Sequence, residues 1–179
     1  MASVTREQAI KTLEDGQRRL EALIGQLSAD QVGCPATIGG GDWSAKDLMC
    51  HMARWNEIAM EALASWRERE VPWIEGEWSG GVDKVNADNY ELSRDHSADQ
   101  ARVRLRQSHE ALVGAIRAMD NDEWHSKAPY VTGRRQWLGM LLGGITGAPK
   151  RAFGHAFAHL GDLEAYVATV KQLRHTPDA

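Results

Sequence analysis

The segment that decides the fold is Ser44–Glu57, with the sequence SAKDLMCHMARWNE. A serine followed three residues later by an acidic residue, here Ser44 and Asp47, is typical of a helix N-terminus, where each side chain bonds the other residue's backbone N–H. Apolar residues then recur every three or four positions, at Leu48, Met52, Trp55, Ile58 and Ala62. The pattern predicts a long helix that ends near Glu68 and turns one face towards a protein core.

Three further long helices are predicted from the same kind of pattern. They cover Thr5–Leu27, Ser97–Met119 and a last segment in which Pro149 occupies the first turn and Leu173 lies near the end. Shorter helices are predicted around residues 83–93 and 137–142, between long connections. The alternating pattern of a β-strand is absent. The fold class is therefore all-α: an antiparallel four-helix bundle with long connections and short extra helices.

Composition narrows the classes of protein to which the chain can belong. A length of 179 residues with 42% hydrophobic content fits a single domain over residues 1–179. The net charge of -4, without a Lys/Arg block, is unlike that of a nucleic-acid-binding protein. No apolar run approaches the roughly 20 residues needed to span a bilayer, and no leader pattern precedes the first helix. We expect a cytoplasmic protein with neither nucleic acid nor membrane as a partner.

Three histidines form the candidate metal site. His155 and His159, in GHAFAHLGDLEAY, are four residues apart, so on a helix they share one face. This spacing alone is weak evidence, since such pairs are often partly exposed surface. His51 lies on the Ser44–Glu57 helix, and neighbouring bundle helices pack about 8–10 Å apart, so it can meet the pair. Three neutral imidazoles can hold zinc or nickel and leave one position open for chemistry.

Other candidate residues surround these histidines in the sequence. Asp162 follows His159 by three residues and either orients an imidazole or supplies a fourth ligand, with a surface carboxylate as the alternative. Trp55 is the best candidate for a pocket wall. Core packing is the alternative role for it and for the other tryptophans near helix ends or loops, which are Trp43, Trp73, Trp78 and Trp137. The metalloprotease motif HExxH is absent, because Ala156 follows the first histidine of the pair.

Four basic residues flank the glycine-rich stretch 143–151, GGITGAPKR. They are candidates for receiving an anionic substrate, with solvated surface as the alternative: Arg134, Arg135, Lys150 and Arg151. The stretch lacks the GxxxxGK[ST] order and follows no predicted strand, so it does not fit a phosphate-binding loop. A flexible approach to the last helix is the better interpretation.

The chain resembles the DinB-like superfamily of four-helix-bundle metalloenzymes. The motif of that superfamily is a histidine midway along the second helix and an HxxxH in the fourth, matched here by His51 and by His155 with His159. The resemblance implies that these three residues bind a divalent metal, nickel or zinc, with water in the remaining positions. It also implies a small-molecule substrate, in some relatives a low-molecular-weight thiol cofactor, and a homodimer formed through helix faces.

Two segments are similar to the ClbS/DfsB branch in particular. They are the arrangement WSxxDLxxHxxxW over Trp43–Trp55 and the sequence of residues 87–116. The best-known member of that branch hydrolyses a genotoxin but lacks the histidine set, so its mechanism is not carried over. We expect a metal-dependent hydrolase or thiol-dependent transferase in stress or detoxification. The alternatives are a non-catalytic small-molecule-binding or toxin-resistance protein, and a structural bundle whose histidines are incidental.

Overall fold

The structure is a computed structural model that describes residues 4–39, 41–76, 81–131 and 135–175. Within these ranges the chain is helical and contains no β-strand. The helices are α1 (Arg6–Ile24), α2 (Ala29–Gly33), α3 (Ala45–Arg67), α4 (Gly81–Ser93), α5 (Ala98–Ala118), α6 (Asn121–Trp124), α7 (Leu138–Ile145) and α8 (His155–His175), with a 3-10 turn at Trp73–Glu75. None of the described helices is long and apolar enough to cross a membrane.

Side-chain caps determine where the helices begin. The hydroxyls of Thr5, Ser44 and Ser97 each accept a hydrogen bond from the backbone N–H three residues later. Each cap residue in turn donates its own backbone N–H to the side chain of that later residue, which confirms the predicted starts of α1, α3 and α5. At Ser44 the cap is buried, and Asp47 Oδ2 accepts from both the backbone N–H, at 2.9 Å, and the hydroxyl, at 2.6 Å. The short helices α2 and α6 were not predicted from the sequence.

The four long helices α1, α3, α5 and α8 form the predicted antiparallel bundle, with α3 at its centre. Helix α3 packs along α5 and also touches α4, α7 and α8, while α1 packs against α8 and α5. Because neighbours cover α3 on several sides, its residues from Ala45 to Ala53 are all buried except Lys46, which is half-buried. A polar side chain in this part of α3, such as His51, is therefore enclosed by the protein.

The start of the last helix differs from the prediction based on Pro149. Helix α8 begins at His155, because two residues before it adopt left-handed backbone conformations that a right-handed helix excludes: Lys150 at φ 68° and Phe153 at φ 59°. The turn places the Phe153 side chain in the core, 2% exposed and stacked on Trp124 with ring centroids 5.8 Å apart. Burial of this ring outweighs the local preference of proline for a first helical turn.

The segment before α8 also folds back onto α7. The backbone N–H of Phe153 donates to the Gly143 carbonyl at 3.2 Å, and that of His155 donates to the Thr146 carbonyl at 3.1 Å. A Cβ atom at residue 143 would lie 2.7 Å from the Phe153 ring, so glycine is required for this close approach. Contacts with α7 therefore fix the position of His155 relative to the bundle.

Candidate metal centre

The three histidines predicted to form a metal site lie together. His51 comes from the second turn of α3, and His155 and His159 come from the first two turns of α8. The Nε2 atom of His155 is 2.9 Å from Nε2 of His51 and 3.2 Å from Nε2 of His159. Each ring offers a nitrogen within 4.8 Å of the other two, and among the described residues this is the group of three His, Cys, Asp or Glu residues that could hold a metal ion.

Hydrogen bonding alone satisfies these nitrogens poorly. An imidazole nitrogen carries either a proton or a lone pair, so His155 Nε2 cannot donate to one neighbour while it accepts from the other. A metal ion, in contrast, can take the lone pairs of all three rings. Tetrahedral zinc with Zn–N bonds of about 2.0–2.1 Å separates its ligand nitrogens by about 3.3 Å. Two of the separations, 2.9 and 3.2 Å, are close to that value, and the nitrogens of His51 and His159 lie within 4.8 Å of each other, so the donor set fits a divalent ion.

Burial keeps the three imidazoles neutral. Loss of solvation, with a smaller contribution from the neighbouring histidines, lowers the pKa of His51 to about 2. The same causes lower the pKa of His155 to about 3. Burial also lowers the pKa of His159, and the Asp162 carboxylate partly offsets this effect. All three rings therefore present lone pairs at neutral pH, as metal ligation requires.

Two tryptophans and an asparagine surround the histidines. The Trp43 ring centroid is 4.9 Å from that of His51, and the Trp55 centroid is 6.4 Å from His51 and 6.0 Å from His155. The indole N–H of Trp55 donates to Asn86 Oδ1 at 3.1 Å. His51 Nδ1 is buried and has no hydrogen-bond partner within the described ranges. Asn86 lies on α4 and was not identified from the sequence, since no motif includes it.

Two cavities meet at the histidine cluster. The first has a volume of about 310 Å³ and is lined by all three histidines together with Trp55, Asn86 and Arg135. The second has a volume of about 540 Å³ and is lined by His159, Trp43, Tyr90 and Asp162. Both volumes lie within the range of about 300–1,000 Å³ that is usual for small-molecule sites. The histidine cluster is thus accessible to small ligands, and His159 forms part of both cavity walls.

The sequence matches the family described as Mycothiol maleylpyruvate isomerase N-terminal domain over residues 13–143. The chain belongs to this family. The matched segment contains His51 and ends before His155 and His159, so the helix that carries the pair lies beyond the match. A comparison with curated proteins found no match.

Two solved structures resemble this family member over nearly its whole length. One is an uncharacterised protein from Escherichia coli UTI89, 15% identical, with a TM-score of 0.75 and with 94% of this chain and 95% of that one covered. The other is the colibactin self-resistance protein ClbS in complex with a dsDNA, 16% identical, with a TM-score of 0.67 and coverage of 99% and 100%. At these identities the likeness shows the fold alone. Together with the family match, it confirms the DinB-like fold, which this chain shares with ClbS.

Some of the other residues predicted from the sequence lie beside the histidines, and others lie elsewhere in the structure. Asp162 is exposed and lines the second cavity beside His159, but its carboxylate does not belong to the group that could hold a metal. Trp73 is 40% exposed and donates its indole N–H to Glu61 at 2.9 Å, away from the histidines. Trp137 lines a separate groove, and Trp78 lies outside the described residues. Of the four candidate tryptophans that the structure describes, Trp43 and Trp55 contact the site.

Only one of the four basic candidates is found at the site among the described residues. Arg135 lines the first cavity. Lys150 and Arg151 line the separate groove, and the Arg151 guanidinium stacks over the Phe157 ring at 3.5 Å from its centroid. Arg134 lies outside the described residues. Sequence proximity to the glycine-rich stretch did not distinguish Arg135 from the other three.

Proposed function

We propose that this protein is a metal-dependent enzyme that acts on a small molecule, with His51, His155 and His159 holding a divalent zinc or nickel ion. The convergence of three neutral Nε2 atoms on one point beside a cavity is the observation that supports the proposal. An ion in such a site polarises a substrate carbonyl or lowers the pKa of water or of a thiol towards neutrality.

The chain's own residues supply the surroundings for this chemistry. Trp55 forms an apolar wall that limits water at the histidines, and its bond to Asn86 fixes the ring. We assign Asp162 the role of a positioning residue, because its charge acts on His159 from the second cavity. We favour thiol-dependent transfer over hydrolysis. The family description names mycothiol, and the two cavities would allow two ligands to approach the cluster.

Metal binding provides the first test. Protein purified without a histidine tag and stripped of metal should bind about one zinc or nickel ion per chain. Each of His51→Ala, His155→Ala and His159→Ala should weaken binding by at least about tenfold, since each removes a ligand. His125→Ala is the matched control, because His125 is exposed and bonds the Asn121 carbonyl instead. No binding by the wild type after reconstitution, or equal losses in all four variants, would contradict the proposal.

Turnover provides the second test. The metal-loaded protein should consume esters, lactones or epoxides, and a requirement for added thiol identifies a transferase whereas turnover without it identifies a hydrolase. The His155→Ala variant should lose this activity while retaining its helical circular dichroism spectrum.

A non-catalytic toxin-resistance or small-molecule-binding protein is the second candidate. It is supported by the full-length structural likeness to the colibactin self-resistance protein. That protein was solved with double-stranded DNA, whereas we propose a small molecule as the partner of this chain. We also propose a cytoplasmic location. Assembly as a homodimer stays a prediction. Stoichiometric ligand binding without turnover, unaffected by His155→Ala, would favour this candidate.

A further inference from the structure

The first cavity offers few polar side chains besides the three histidines. Among the described residues that line it, the other polar side chains are those of Asn86 and Arg135. The Arg135 guanidinium donates to Glu75 Oε1 at 2.6 Å, so an ion pair already holds it. The rest of the wall is largely apolar and includes Trp55, Ile74, Val82 and Ile145. The amide of Asn86 is therefore the uncharged polar group of this wall that remains to be explained.

The hydrogen bond from Trp55 determines which way the Asn86 amide faces. An indole N–H can only donate, so the amide atom that lies 3.1 Å from Trp55 Nε1 is the oxygen and not the nitrogen. The reverse orientation would oppose two kinds of N–H group and leave the buried indole without an acceptor, which is costly. The Asn86 nitrogen, with its two N–H donors, is thus turned away from Trp55.

The two N–H donors of Asn86 are available to a ligand. They have no hydrogen-bond partner within the described part of the chain, and the amide nitrogen is not sealed from solvent on the cavity wall. The amide also lies close to His51. Burial and the two other histidines lower the pKa of His51 to about 2, and the Asn86 amide acts in the opposite direction. A small ligand that reaches the histidines through this cavity therefore passes the Asn86 donors.

Attachment of α4 to the bundle explains the oxygen of Asn86 but not its N–H groups. The buried residues of α4 are Asn89 and Ser93, so the helix is only lightly packed, and the bond between Trp55 and Asn86 helps to hold it against α3. That bond uses the amide oxygen alone. A variant that keeps an oxygen at residue 86 and removes the N–H donors therefore separates the two roles.

We propose that the Asn86 amide donates a hydrogen bond to the negatively charged atom of a ligand bound at the three histidines, and so favours anionic over neutral ligands there. This inference rests on the metal-dependent function proposed above and adds a residue that contacts the bound ligand. Hydrogen bonds to ionised acceptors are roughly twice as strong as those between neutral groups. During turnover the same donor stabilises negative charge as it develops on the reacting group.

Azide and imidazole are suitable probes, because both bind a metal ion through nitrogen but only azide is an anion. Each is titrated into cobalt-loaded protein at a pH where imidazole is neutral, and its Kd is read from the visible absorption of the cobalt ion. Asn86→Leu should raise the Kd of azide at least about tenfold, as expected for the loss of a hydrogen bond to a charged group. The Kd of imidazole should change by less than about twofold.

Asn86→Asp distinguishes a contact with the ligand from a structural role. The carboxylate has nearly the shape of the amide and keeps an oxygen for the Trp55 indole, but it has no N–H to donate. Azide should bind this variant at least as weakly as Asn86→Leu, whereas imidazole should bind it no more weakly than the wild type. Leu92→Asn is the matched control, since it exchanges the same two residue types on α4 at a side chain that is 82% exposed and lines neither cavity at the histidines.

Trp55→Phe tests the orientation of the amide. Without the indole N–H the amide can turn, so the Kd of azide should rise. The double variant Trp55→Phe/Asn86→Leu should bind azide as Asn86→Leu does, because the contribution of Trp55 acts through Asn86. Additive losses in the double variant would instead show that Trp55 acts independently, and would overturn the inference.

The remaining outcomes separate this inference from the proposed function. If the wild type binds cobalt but not azide, or if Asn86→Leu weakens azide and imidazole equally, the inference fails while the metal site stands. Wild-type azide affinity in Asn86→Asp would show that only the oxygen matters, and would also overturn the inference. Absence of cobalt binding by the wild type would overturn the proposed function and, with it, the role of Asn86.

Discussion

Acidification of the metal-free protein should destabilise it strongly, because buried neutral histidines resist protonation. The pKa of His51 is lowered to about 2 and that of His155 to about 3, from an ordinary value of 6.5. Below pH 6.5 the unfolded chain therefore binds protons on these two residues while the native protein does not. The free energy of unfolding therefore has its full value above pH 6.5. It decreases as the pH falls from 6.5 towards the pKa values of the native protein.

The size of the effect follows from these pKa values. At pH 5 each group with an unfolded pKa of about 6.5 and a native pKa below about 3 lowers the free energy of unfolding by about 2 kcal/mol. His51 and His155 together should therefore remove about 4 kcal/mol between pH 7.5 and pH 5, and His159 acts in the same direction. Because domains of this size are stable by about 5–15 kcal/mol, such a loss is readily measured.

Urea unfolding followed by circular dichroism, at pH 7.5 and pH 5 in the presence of a chelator, measures this difference. His51→Gln removes one titrating group, so its loss of stability on acidification should be about 2 kcal/mol smaller than that of the wild type. His125→Gln changes an exposed histidine and should leave the loss unchanged. The comparison uses the difference between two pH values, so a destabilising effect of the substitution itself cancels. Equal losses in the wild type and in His51→Gln would refute the reasoning.

Three further predictions follow from the same structure. Protons compete weakly for the buried histidines, so zinc should stay bound at pH 5 as long as the protein is folded. Metal analysis after dialysis measures this. Complete release of zinc at pH 6 would contradict the prediction. Gly143→Ala should destabilise the protein by about 1–3 kcal/mol, because its Cβ would meet Phe153. Gly114→Ala, on the exposed surface of a helix, should instead stabilise it by up to about 1 kcal/mol. Thermal unfolding shows whether each variant is less or more stable than the wild type. Trp55→Phe should cost about 1 kcal/mol in urea unfolding by removing the hydrogen bond to Asn86, and an unchanged stability would show that bond to be unimportant.

The parts of the structure that were predictable depend on contacts close in sequence. The cap at Ser44 involves a residue three positions away, and the shared face of His155 and His159 follows from helical geometry over four positions. The approach of His51 to His155 joins residues 104 positions apart, so it was inferred only through the bundle and the family resemblance. The sequence did not distinguish Arg135 from the three other basic candidates, and no motif pointed to Asn86. Both residues line the cavity only because a loop and α4 fold against it.

The start of α8 shows why local rules were insufficient at the site itself. A helix that began at Pro149 would have placed His155 in its second turn and extended the chain away from α7. Instead, Phe153 enters the core beside Gly143, and the chain turns there, so that His155 becomes the first helical residue and bonds the Thr146 carbonyl at the end of α7. The same helix α7 supplies Gly144, against which Arg135 lies. Gly143 and Gly144 on α7 thus position both His155 and the Arg135 guanidinium. Their effect depends on packing between α7 and segments distant in the sequence, which the spacing of the histidines does not predict.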